Sequence, residues 1–135
     1  MKELKPGKET RFTIKLAPVT KKNSQKIIWH KPTGRPMIVP SDVYKTYEHS
    51  AAWFMPHDPT IREPVNVRAL FYMPTKRRVD LVNLEEALLD VLVHYGVIDD
   101  DNSTIVAGMD GSRVLYDKEN PRTEVIIEYL EEERK

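Results

Sequence analysis

Apolar and polar positions along the 135-residue chain follow two rhythms, and the changes between them mark the elements. Phe12, Ile14 and Leu16 alternate with polar neighbours across residues 11–17, the period of two expected of a half-buried strand. Two short apolar runs, 27–29 and 37–39, flank His30-Lys31-Pro32-Thr33-Gly34-Arg35-Pro36. Its Pro and Gly supply a turn, so the pair reads as a hairpin with a basic, exposed loop. Ser41 after Pro40 is an N-cap for a helix to about Met55, with Val43, Tyr44, Tyr47, Ala51 and Phe54 at helical spacing and Pro56 and Pro59 beyond. Alternation returns through Val65, Val67, Ala69 and Phe71, predicting a strand over 65–73.

A second helix is predicted over 83–95, where Leu84, Leu88, Val91, Leu92 and Tyr95 share one face and Gly96 stops the run. Leu89 and Val93 lie outside that stripe. With Val82 they form either the flank of one broad buried face or a second surface for a partner subunit. Strands follow at 105–109, 114–116 and 123–129, with Asp110-Gly111 and Glu119-Asn120-Pro121 as turns. The sum is a mixed α/β (α+β) fold, one sheet packed against two main helices. At this length it is a single domain over 1–135, with short polar tails at 1–9 and 131–135.

Composition narrows the chemistry. No apolar run approaches a membrane span, and the Lys-rich start lacks the apolar stretch of a signal peptide, so a cytoplasmic protein without a membrane partner is expected. The absence of cysteine excludes disulfides, thiolate zinc sites and cysteine nucleophiles, which leaves oxygen and imidazole as metal ligands. His30, His49, His57 and His94 lack the i, i+4 spacing of a helical zinc motif. Ser112, within Asp-Gly-Ser-Arg, is not in a nucleophile elbow.

The net charge of zero hides an asymmetry. Residues 1–79 carry 16 Lys and Arg against 6 Asp and Glu, and residues 80–135 carry 5 against 15. A basic half offers a surface for phosphates and an acidic half offers carboxylates for a cation. Both could equally mix on one solvated surface after folding. The densest acidic stretch runs from Asp80 through Glu85, Glu86 and Asp90 to Asp99-Asp100-Asp101, directly after Lys76-Arg77-Arg78. At about 100° per residue Asn83, Glu86 and Asp90 share one helix face, and a turn after the helix is expected to return Asp99–Asp101 toward Asp80. Crowded carboxylates need a cation or shared protons, so this stretch is a candidate magnesium site. Each part also has a plainer reading: Asn83 and Glu86 as a capping pair, Asp99–Asp101 as a solvated turn, Lys76–Arg78 as a solvated charge run.

The order of residues in this region resembles the core of the RusA-type Holliday junction resolvases: Arg77, Asp80, Asn83, Asp90, Gly96, Asp100, Asp101 and Asn102. Pro18-Val19-Thr20-Lys21-Lys22-Asn23-Ser24, the Gly34-Arg35 loop and the Pro40-Ser41 helix start are similar to phage and prophage members, so the likeness spans residues 12–130. It implies a homodimeric α/β endonuclease that cleaves four-way DNA junctions with Mg2+, Mn2+ being a possible substitute, and that uses no organic cofactor. On this likeness Asp80 and Asp101 are catalytic and metal-binding, and Asp90 and Asp100 are further candidates. Two positions depart from the pattern: Val82 stands where a second catalytic Asp is expected, and Glu86 where a lysine is expected. Glu86 or Asp90 is the candidate replacement ligand. Lys21, Lys22, Asn23, Lys26, Lys31, Arg35, Lys76, Arg77 and Arg78 are the candidate DNA contacts. The alternatives are a branched-DNA-binding protein of the same fold that has lost cleavage, or an interaction protein with a solvated acidic surface.

Overall fold

The computed structural model describes residues 2–21, 25–40 and 42–132. The alternating apolar run at Val65–Met73 is strand β4, and it organises the sheet. Along one edge it pairs antiparallel with β7 (Arg122–Glu132), with Val67 opposite Ile127 and Phe71 opposite Thr123. Along the other it pairs parallel with two short strands in succession, β5 (Val106–Gly108) at its start and β6 (Arg113–Tyr116) from Leu70 onward. Strand β1 (Lys2–Ile14) closes the far side against β7. Residues 2–9 and 131–132, expected in polar tails, are therefore strand, because Lys2, Glu3, Leu4 and Glu9 pair with β7, Lys2 opposite Glu132 and Glu3 opposite Glu131, with an irregularity between Leu4 and Glu9. Leu16, expected at the end of this strand, falls beyond it.

One face of the sheet is dry. Val65, Val67, Ala69, Phe71, Val125, Ile127 and Ile14 alternate into the core, where they meet Leu84, Leu88, Val91 and Leu92 of helix α2 (Leu81–His94). Leu89 and Val93 pack against the same cluster, so α2 has one broad buried face, while Val82 is left 69% exposed. Helix α1 (Asp42–Ala51) adds Tyr47 and Ala51 and tightens into a 3-10 turn at Ala52–Phe54, so the expected run to about Met55 is not one continuous α-helix. The Tyr95 hydroxyl ties the end of α2 to α1 by donating to the Glu48 carbonyl. Truncating Leu92, which is fully buried, to alanine is expected to lower unfolding free energy by about 3 kcal/mol in a urea titration.

The gap between β5 and β6 is held by side chains. Asn66 accepts from the Asp110 N–H at 2.8 Å and donates to the Asp110 carbonyl at 3.0 Å, and the Ser112 hydroxyl accepts from the Ala69 N–H at 3.0 Å. Gly111 is required here, with φ +83 and the Arg68 side chain 2.6 Å from where a Cβ would sit. Strands β2 (Gln25–His30) and β3 (Arg35–Pro40) form the expected hairpin as a separate two-stranded sheet.

The crossover from β4 to β5 fixes the position of the acidic residues. Because β4 and β5 are parallel, α2 must run back along β4 from its end to its start. Asp80 therefore sits at the Met73 end of the sheet. The residues after Gly96 sit at the Val65 end, where Ile98 bridges Ile61 and the Asp99 N–H donates to the Ile61 carbonyl at 3.0 Å.

Candidate functional site

Asp80 occupies the N-cap position of α2, with extended backbone (φ −90, ψ 124), and its carbonyl accepts the Leu84 N–H at 3.2 Å. Its carboxylate makes no capping bond. Instead one oxygen accepts from the Asn83 amide at 3.2 Å, leaving the group exposed beside the unpaired N–H groups of the helix start. The helix thus begins two residues before the predicted position. Asn83 orients Asp80 rather than capping with Glu86, and Glu86 is exposed with no hydrogen bond or ion pair among the described residues.

Beside this helix start lies a cleft of about 430 Å³. Pro18, Val19 and Thr20, from the segment after β1, line one side; Thr75, Arg77, Arg78 and Val79, from the connector after β4, line the other. Arg77 and Arg78 are exposed and meet no carboxylate among the described residues, so both guanidinium groups are open to phosphate. Lys76 instead lies 5.1 Å over the Tyr116 ring. The two stretches are more than 50 positions apart in sequence, and no local pattern announces that they share a cleft.

Lys21 and Asp90, read separately as a phosphate contact and a metal ligand, bind each other at 2.9 Å with both side chains about one third exposed. Lys21 also lies 5.3 Å over the Tyr44 ring. Burial, helped by the Glu48 and Asp90 carboxylates, holds the Tyr44 hydroxyl protonated well above its ordinary range. Asp90 is ten positions along α2 from Asp80, or about 15 Å of helix rise. Lys31 and Arg35 flank the hairpin turn and are exposed, and Lys26 lies on β2. Lys22 and Asn23 lie outside the described residues.

The acidic turn is organised from within. The Asp100 carboxylate accepts the Asp101 N–H at 2.7 Å and the Asn102 amide at 3.0 Å, and the Asn102 side-chain oxygen accepts the Thr104 N–H at 2.9 Å. Asp99 faces Arg62 at 3.7 Å. Asp101 alone of the three carboxylates has no partner among the described residues, and it is exposed. The turn does not fold back toward Asp80. The 14 residues of α2 separate the two ends by about 20 Å.

The donor chemistry suits a hard divalent cation, since every carboxylate concerned offers oxygen. The placement within one chain does not: among the described residues no three His, Asp or Glu side chains come together to hold a metal ion. The sequence joined Asp80, Glu86, Asp90, Asp100 and Asp101 into one acidic centre. The fold distributes them along a helix and beyond it.

A family model described as Endodeoxyribonuclease RusA matches residues 15–128, a span that takes in the Pro18–Thr20 wall, the arginine connector, α2 and the acidic turn. No curated protein matches the chain.

Proposed function

Because the chain belongs to the RusA endodeoxyribonuclease family and is thereby a structure-specific endonuclease that resolves Holliday junctions, we propose that it works as a homodimer whose two active sites are each completed by both copies. Asp80 of one copy and Asp101 of the other flank each scissile phosphodiester. The observation that carries this reading is the placement of the two groups beyond opposite ends of α2, a helix about 20 Å long. A second copy related by a twofold axis, with its α2 antiparallel to the first, sets the start of one helix beside the end of the other, twice over. The 69% exposed Val82, on the first turn of α2 next to Asp80, supports a surface there that a partner covers.

The family binds branched junctions and depends on divalent metal. We take Mg2+ as the ion and assign Asp80 and the partner's Asp101 as the carboxylates that hold it, with Mn2+ as a substitute. When bound it polarises the phosphodiester and acidifies the attacking water. Asn83 fixes the Asp80 carboxylate, and Asp100 shapes the turn that presents Asp101. Arg77 and Arg78 grip the phosphate backbone leading into the cleft. Asp90 anchors Lys21, and through it the Pro18–Thr20 wall, against α2. Acting on DNA, and with no helix among the described residues long and apolar enough to cross a membrane, the enzyme is assigned to the cytoplasm.

The twofold dimer matches the twofold symmetry of a four-way junction. Incubation of a synthetic four-way junction and a linear duplex with Mg2+ is expected to give paired, symmetric cuts across the junction and none in the duplex. Equal cutting of both substrates would remove the structure-specific reading.

A further inference from the structure

Among the described residues the hairpin β2–β3 pairs with no third strand, and it carries apolar groups on the outside. Ile27 and Trp29 alternate onto one face, 72% and 65% exposed. Trp29 lies opposite Pro36, which is exposed as well. Ile28 and Met37, opposite each other on the reverse face, are 38% and 39% exposed. The turn that joins the strands is closed tightly: the Gly34 N–H donates to the His30 carbonyl at 2.9 Å, and the His30 ring meets the Thr33 hydroxyl at 2.9 Å. Gly34, at φ +64, faces open space. The element is a hairpin with a hydrogen-bonded turn and an exposed aromatic side chain next to that turn.

Charge identifies what such a hairpin fits. Residues 21–41 contain Lys21, Lys22, Lys26, Lys31 and Arg35 and no Asp or Glu. A second copy offering the same face is repelled by it, whereas a polyanion is attracted. In a continuous duplex the flat faces of the bases are covered by their neighbours, so an indole finds nothing to stack on. At a branch point the terminal base pairs expose those faces, and aromatic stacking on an exposed base is strong and indifferent to sequence.

We propose that Trp29, backed by Ile27, is a wedge that stacks on the base pairs exposed at the centre of branched DNA, while Lys31 and Arg35 hold the phosphates on either side. The proposal rests on the reading of the protein as a junction endonuclease and adds the element by which it tells a branch from a duplex. Apolar wedges that enter a base step recur among DNA-bending proteins.

The test uses a Trp53→Phe background, in which Trp29 is the sole tryptophan, since the chain holds two. Binding is measured, in Ca2+ or without metal, to a four-way junction carrying 2-aminopurine at the branch and to a linear duplex of equal length. Trp29 emission is expected to be quenched by the junction and not by the duplex. Trp29→Ala should lose about tenfold in junction affinity and leave duplex affinity within about twofold, whereas Trp29→Phe should retain most of the preference. The 2-aminopurine signal should rise with the parent protein and stay flat with Trp29→Ala. Unaltered junction preference in Trp29→Ala overturns the wedge, as does a Trp29→Ala protein that sediments as a monomer where the parent is a dimer, which would give the face to a second copy. If the parent resolves junctions while Trp29→Ala keeps its preference, the wedge alone fails. If the parent neither binds nor cuts any branched DNA, the endonuclease reading fails with it.

Discussion

Asp80→Asn is expected to reduce junction cleavage by at least about a thousandfold while junction affinity stays within a few-fold of the parent. The substitution keeps size and hydrogen-bonding capacity, and Asp80 is exposed at a helix start without a capping role, so the fold has little to lose. What is lost is a negative oxygen donor at the place where the cleft meets α2. Because Asn83 already donates to that carboxylate at 3.2 Å, an amide oxygen can take the same bond, and geometry is preserved while charge is removed. Single-turnover cleavage with excess enzyme separates the chemical step from binding, and circular dichroism verifies the fold. Cleavage within tenfold of the parent would remove Asp80 from the reaction.

The paired substitution of Arg77 and Arg78 by alanine should act on binding. Both guanidinium groups are exposed, line the cleft beside Asp80 and meet no carboxylate among the described residues. Removing four phosphate contacts from a dimer should weaken junction binding by about 10- to 100-fold at low salt and make the dependence of log K on log salt shallower by about 3 to 4. Linear duplex should weaken in parallel, because phosphate contacts carry no information about branching. An unchanged salt slope would mean that the connector is a solvated charge run and that the DNA path lies elsewhere.

Much of the fold was legible because its elements obey local rules. The alternation of Val65, Val67, Ala69 and Phe71 marked β4 at its observed ends. The spacing of Leu84, Leu88, Val91 and Leu92 and the stop at Gly96, whose φ is +69, marked α2. The extra strand residues before position 9 were not legible, since Lys2 to Glu9 lack an apolar alternation and are ordered by pairing with a distant strand. The sequence also placed Asp80 and Asp101 together because they flank the same helix, and a linear reading suggests proximity. Parallel pairing of β4 and β5 decides otherwise, and that pairing is long-range. The Lys21–Asp90 ion pair, between residues 69 positions apart, was invisible for the same reason, and it joins two residues that were read separately.

The shared site is tested most directly by mixing two inactive proteins. Asp80→Asn and Asp101→Asn are purified separately, shown to be inactive, then unfolded and refolded together so that mixed dimers form. If each site takes Asp80 from one copy and Asp101 from the other, a mixed dimer holds one site with both substitutions and one with neither. Random pairing then restores about a quarter of the parent's nicking activity, as single-strand cuts in the junction. If both carboxylates act within one chain, every site in every dimer carries one substitution, and the mixture stays as inactive as its parts.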